Sequence, residues 1–323
     1  MRENKLENSR RIIYLDELRI VAILAVILLH VSASNLFNSQ VNSFDWQVFN
    51  IYDSLVRFCV PVFIMISGAL FLDPRREIKT ERLFKHNILR IVKVFIFWSL
   101  LYACFDSVDK VINGAIIDKN FIVNFIKEFI FGHYHLTFLY IITGLYLIVP
   151  FLRKITTDKK LTEYFIILSF IFCYMVNILI NVPRIGNIVS TISEKININF
   201  VIGYTGYFIT GYYLNRYGLK LKNKNIIYLL TVLSLILTIV GTSFWSSKIG
   251  ETTENLYLYN IPTTFFVSVS IFILFKEKIS KIQLKGKKIK WIENLSKLTF
   301  GIYLVHDFFN IFLTKLGITT TSF

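Results

Sequence analysis

The feature that most constrains this chain is a recurrence. Stretches of about twenty apolar residues return along its whole length, separated by short connectors rich in Lys and Arg. A helix of about twenty apolar residues crosses the ~30 Å hydrocarbon core of a bilayer while satisfying its own backbone hydrogen bonds. Nine spans are expected, at approximately 13–33, 50–72, 88–107, 134–152, 163–182, 199–215, 226–245, 257–275 and 293–313. The fold class is therefore an all-α, polytopic transmembrane helical bundle, with the lipid bilayer as its first partner. Composition agrees: 54% of the 323 residues are hydrophobic and mean hydropathy is +0.56, too apolar for a water-soluble chain of this length.

Charge gives the bundle a direction. A net charge of +15 would suggest nucleic acid if it were clustered on a soluble domain. Here the basic residues sit in the connectors, so no nucleic-acid partner is expected. With a cytoplasmic N-terminus, the inside segments hold 24 Lys and Arg and the outside segments 7. The first outside connector, 34–50, has none. That is the positive-inside pattern of a multi-pass protein of the cell membrane. The expected organisation is a cytoplasmic tail over 1–12, a transmembrane domain over 13–313 and a short C-terminal segment over 314–323. The first run reads as a retained span rather than a signal peptide, because it is long, carries charges and lacks a small-residue cleavage site. Between the third and fourth spans, FIVNFIKEFIF reads as an amphipathic helix lying on the outer face. Cys59, Cys104 and Cys173 fall within apolar runs and lack metal-ligand spacing, so neither a disulfide framework nor a metal site is expected.

The first run, Ile13–Val31, reads IYLDELRIVAILAVILLHV and carries Asp16, Glu17, Arg19 and His30. A charged residue at the centre of a spanning helix costs roughly 2.5–3.5 kcal/mol, so such groups face a cavity or one another and usually serve a function. At about 100° per residue, Arg19 and His30 share one helix face, and Asp16 lies within about 40° of it. About 16 Å of rise separates Arg19 from His30. His30 is the candidate base, with Asp16 or a neighbour to orient it, and Arg19 is the candidate anion ligand.

In the second span Pro61 can interrupt the hydrogen-bond ladder, while Ser67 and Gly68 permit close backbone approach; Ser67 is a candidate substrate contact. Arg57 reads as snorkelling to the interface. In the third, Lys85 and His86 read as charges beside lipid headgroups, whereas Arg90 can grip phosphate oxygens bidentately. His133 and His135, spaced i, i+2, precede the fourth span, where an extended segment could aim either inward; His135 is the candidate acceptor contact. His306 lies deep in the last run. No P-loop, dinucleotide turn, His-Glu-x-x-His or nucleophile elbow is present in the sequence, which argues against ATP-driven transport and soluble hydrolase chemistry.

Taken in order, YLDELRIVAILAVILLH, VPVFIMISGAL, LFKHNILRI leading into FWSLLY, HLTFLYIITGLYLIVPFL, GYFITGYYL and LSKLTFGIYLVH resemble the acyltransferase-3 family of integral membrane acyltransferases. Within the family they resemble in particular the branch of the enterobacterial common antigen O-acetyltransferase. The resemblance runs from residue 14 to about 306. It implies cytoplasmic acyl-CoA as donor, usually acetyl-CoA, no metal, and as acceptor a hydroxyl on a cell-envelope glycan or another outward-facing molecule. His30 matches the family's essential histidine and Arg19 its paired arginine. Arg90 matches the second arginine of a third-helix pair, and His306 the histidine of the last motif. The chain departs from the family at Asn87, where the pair's first arginine is usual, and at Thr137, where tryptophan is usual. A tenth helix is also usual. The expected activity is acyl transfer, O-acetylation in particular. The competing expectation is a transporter or exporter of a polysaccharide or small polar solute, without covalent chemistry.

Overall fold

The computed structural model of the chain describes residues 12–180, 182, 184–196, 203–281 and 286–317. The expected N-terminal tail, apart from Ile12, and residues 318–323 of the C-terminal segment lie outside the described residues.

The fold is all-α, with no strand among the described residues. The helices are α1 (Ile13–Asn38), α2 (Phe44–Val56), α3 (Cys59–Phe71), α4 (Leu89–Ile112), α5 (Lys119–Phe131), α6 (Thr137–Ile155), α7 (Lys159–Ser169), α8 (Val176–Ile180), α9 (Gly186–Ile196), α10 (Thr205–Tyr217), α11 (Leu221–Ile249), α12 (Pro262–Glu277) and α13 (Gly286–Lys315). Two π-helical turns, Leu83–Ile88 and Phe170–Met175, lead into α4 and α8. Among the described residues, six stretches are long and apolar enough to cross a membrane: Ile13–Asn38, Phe44–Phe71, Thr80–Ile112, Lys119–Ile155, Lys159–Ile180 and Leu221–Ile249. The chain is a multi-pass membrane protein. The other three expected ranges fall on α10, α12 and α13. Of these, α10 has only 13 residues, a rise of about 20 Å, and is buried nearly all round.

Local chemistry sets several boundaries. Ser43, Asp118 and Asp158 cap α2, α5 and α7, each accepting a backbone N–H from the first turn, at 3.2, 2.8 and 2.9 Å. Pro61 acts as expected. Its ring excludes the carbonyl four residues back, at Arg57, and the second span breaks at Arg57–Phe58 into α2 and α3. The three cysteines are free; Cys59 and Cys173 are buried, whereas Cys104 is exposed on α4.

The helices fall into two compact units, Met1–Pro74 with Ile155–Phe323, and Arg75–Lys154. In the larger unit α3 and α10 meet backbone to backbone. A Cβ on Gly68 would stand 1.7 Å from the carbonyl oxygen of Phe208, and one on Gly211 would stand 2.0 Å from that of Met65. Glycine is required on both sides of this seam, which is how membrane helices gain close packing without a hydrophobic driving force. Around it, α1 packs on α2, α3, α12 and α13. Polar ties join α2 to α11 and to the loop after it: Trp46 to Thr252 at 2.8 Å, Gln47 to Ser243 at 2.7 Å, and Asn50 to the Ile239 carbonyl at 3.0 Å.

In the smaller unit the expected amphipathic segment is α5. Its Ile122, Val123, Ile126, Ile130 and Phe131 are exposed. It is held to α4 by the Lys110–Glu128 ion pair and by Ser99, which donates to the Phe129 carbonyl.

Candidate active site

In the larger unit α1 and α13 run side by side in the same direction, joined at two levels. At the level nearer their N-termini the Asp16 carboxylate, 1% exposed, accepts from Arg19 at 2.9 Å and from Ser296 of α13 at 2.7 Å, both on Oδ1. Toward their C-terminal ends the His30 and His306 rings lie 5.1 Å apart between centroids, tilted by 30°. Fourteen residues separate the two levels on α1 and ten on α13, about 21 Å and 15 Å of helix rise. Next to the lower level, the Tyr14 hydroxyl donates to Asn215 at the end of α10.

The shared face expected from the sequence therefore exists, with a different division of labour. Asp16 does not orient His30, which lies about 21 Å along the helix; it holds Arg19. His306, a distant candidate in sequence, lies beside His30. It is buried, and its Nδ1 lies 2.7 Å from the Tyr303 carbonyl. A carbonyl oxygen only accepts, so Nδ1 carries the proton and Nε2 is the nitrogen at which this ring gains or loses one.

Two residues past His30, Ser32 reaches Asp53 of α2 at 3.5 Å. Asp53 is fully buried and accepts from Arg57 Nε at 2.6 Å. The guanidinium lies 4.4 Å over the Tyr257 ring, and the Tyr257 hydroxyl donates to Asn50 at 2.5 Å. The expected snorkelling of Arg57 is thus corrected: its side chain is 16% exposed and paired inside the unit. A local ion pair four residues back, on the same helix face, outcompetes the interface. Ser67 is half-buried on α3 beside the Gly68 seam and makes no side-chain hydrogen bond among the described residues.

The remaining candidates belong to the smaller unit. Arg90 is exposed in the first turn of α4, and Asn87 lies in the π-helical turn before it. Gly132 ends α5 with φ +73, and a 3₁₀ turn over Tyr134–Leu136 follows. That reversal turns His133 and His135 toward each other, Nδ1 to Nδ1 at 2.9 Å. Tyr102 of α4 stacks on His133 with ring centroids 4.7 Å apart and meets His135 edge-on at 4.9 Å. One imidazole of that pair must donate and the other accept.

Chemically, the α1–α13 pair offers a guanidinium suited to an anion at one level and two imidazoles suited to moving protons at the other. Against known families, residues 12–321 match the model of the acyltransferase domain, nearly the whole chain. The chain belongs to the acyltransferase-3 family. As a member of that family it is a membrane acyltransferase, and both levels of the α1–α13 pair lie inside the matched region. No curated protein and no solved structure gives a significant match. Sequence reasoning missed Ser296 and Asp53. Ser296 stands inside the quoted LSKLTFGIYLVH stretch, but its partner is 280 residues away. Asp53 had a detectable signal, the i, i+4 spacing to Arg57.

Proposed function

We propose that this acyltransferase moves an acetyl group from cytoplasmic acetyl-CoA to a hydroxyl of a cell-envelope glycan or another outward-facing acceptor. The observation that carries the proposal is the α1–α13 pair, with Arg19 at one level and His30 beside His306 at the other. In this reading the N-terminus is cytoplasmic and the Arg19 level faces the donor.

The proposed chemistry is direct transfer. His30 takes the proton of the acceptor hydroxyl as its oxygen attacks the thioester carbonyl, and the negative charge collects on the carbonyl oxygen. The carbon–sulfur bond then breaks, and the proton held by the imidazole returns to the thiolate, giving ester and free thiol. Arg19 meets the donor's phosphates, with the pantetheine arm extended along the ~16 Å of rise toward His30. Arg90 is assigned to donor phosphates, and His135, His306 and Ser67 to the acceptor. The family branch that acetylates enterobacterial common antigen supplies the model for an envelope glycan as acceptor.

The test uses the purified full chain in proteoliposomes with labelled acetyl-CoA and glycan extracts. His30→Ala is expected to lower transfer by about 10²–10⁴-fold; full transfer by that variant would remove His30 from the chemistry. Mass spectrometry of envelope glycans with and without the protein should find an acetyl-sized difference. Movement of a solute across sealed vesicles with no covalent change would favour transport instead.

A further inference from the structure

We infer that Ser296 is a positioning residue for the acyl donor: through Asp16 it fixes the guanidinium of Arg19, and so couples donor binding to α13, the helix that carries His306. The inference rests on the reading of Arg19 as a donor ligand.

The geometry carries it. Asp16 sits in the first turn of α1, where the helix N-terminus favours negative charge, yet it is 1% exposed and needs donors of its own. Among the described residues two reach a single oxygen, Arg19 Nη1 at 2.9 Å and Ser296 Oγ at 2.7 Å. The Arg19 side chain is 28% exposed, the only one of the three positioned to meet a ligand from outside the helix pair. An arginine is long and loses much rotamer freedom when it binds an anion; a carboxylate three residues back removes part of that freedom beforehand. That benefit requires the carboxylate itself to stay still. Arg19 and Asp16 share one helix, so their pairing by itself does not tie the carboxylate to α13. Ser296 comes from another helix and is 5% exposed, so it supplies a fixed point outside α1. Its own turn is reinforced by Thr299, which donates to the Ser296 carbonyl at 2.8 Å.

Removing the Ser296 hydroxyl would leave the charges in place and loosen their arrangement. Its signature is weaker donor binding without loss of folding, cancelled when Asp16 can no longer hold Arg19 by charge.

The test measures binding of coenzyme A to the detergent-purified full chain by calorimetry, with thermal unfolding in parallel. Ser296→Ala is expected to weaken binding by roughly tenfold, the worth of one hydrogen bond to a charged group. Ser296→Thr, which keeps the hydroxyl, is expected to stay within about twofold of the parent. In an Asp16→Asn background Ser296→Ala should add less than about twofold. If Ser296→Ala does not fold, Ser296→Cys carries the same expectation with a weaker donor. Unchanged coenzyme A binding in the folded serine variant, or an undiminished Ser296→Ala effect in the Asp16→Asn background, overturns the inference. Arg19→Lys separates the two ideas: if it weakens binding while Ser296→Ala does not, only the positioning role fails. If neither variant changes binding, the donor reading of Arg19 fails first.

Discussion

Among the described residues of the larger unit, two Asp–Arg pairs have nearly the same local construction, three residues apart on α1 and four apart at the C-terminal end of α2, and they are finished differently. At Asp16–Arg19 the carboxylate is buried and the guanidinium is 28% exposed. At Asp53–Arg57 both partners are enclosed, at 0% and 16%, and the guanidinium lies over the Tyr257 ring. The first pair presents a cation; the second consumes one. A helical spacing of three or four brings acid and base together in either case. What each pair can do is decided by the third residue, Ser296 on the carboxylate in one and Tyr257 on the guanidinium in the other.

The comparison is most exposed to failure at Asp53. Asp53→Ala leaves a buried guanidinium without its counter-charge and is expected to cost about 3–5 kcal/mol of stability, measured by unfolding in detergent. A similar loss from Asp16→Ala would abolish the distinction between the pairs. Next in size, Arg19→Ala should weaken coenzyme A binding by about 10–100-fold, the range for hydrogen bonds to a charged group, while thermal unfolding moves little. Large destabilisation by this variant would place Arg19 with Arg57 as an architectural residue. The smallest effect is expected from Tyr257→Phe, which keeps the ring under the guanidinium and removes the bond to Asn50. About 1 kcal/mol of stability should be lost, with coenzyme A binding unchanged. A binding defect in Tyr257→Phe would mean that the enclosed pair also communicates with the donor.

The same contrast marks what could be read from the sequence. The helices and the shared face of Arg19 and His30 were legible, because apolar run length and a 100° step are local properties of the chain. The break before Pro61 was legible for the same reason, since the clash is with a residue four positions away. Enclosure was not. Arg57 looked like an interfacial arginine because nothing near it in sequence announces Tyr257, which arrives from a loop 200 residues later. Ser296 was similarly out of reach. The approach of His133 to His135 depends on a backbone reversal at Gly132 that alternating side-chain counts do not encode. The candidate site was thus half legible: the residues supplied by one helix could be grouped, and the partners supplied by others could not.

The glycine seam between α3 and α10 has a consequence for how this unit can move. Where helices touch through side chains, a new rotamer can accommodate a small displacement. At Gly68 and Gly211 the nearest neighbours are main-chain carbonyls, which have no alternative rotamer to adopt. The two helices therefore travel together as a single stiff strut, and any opening that admits donor or releases product must be sought among the other contacts of the unit.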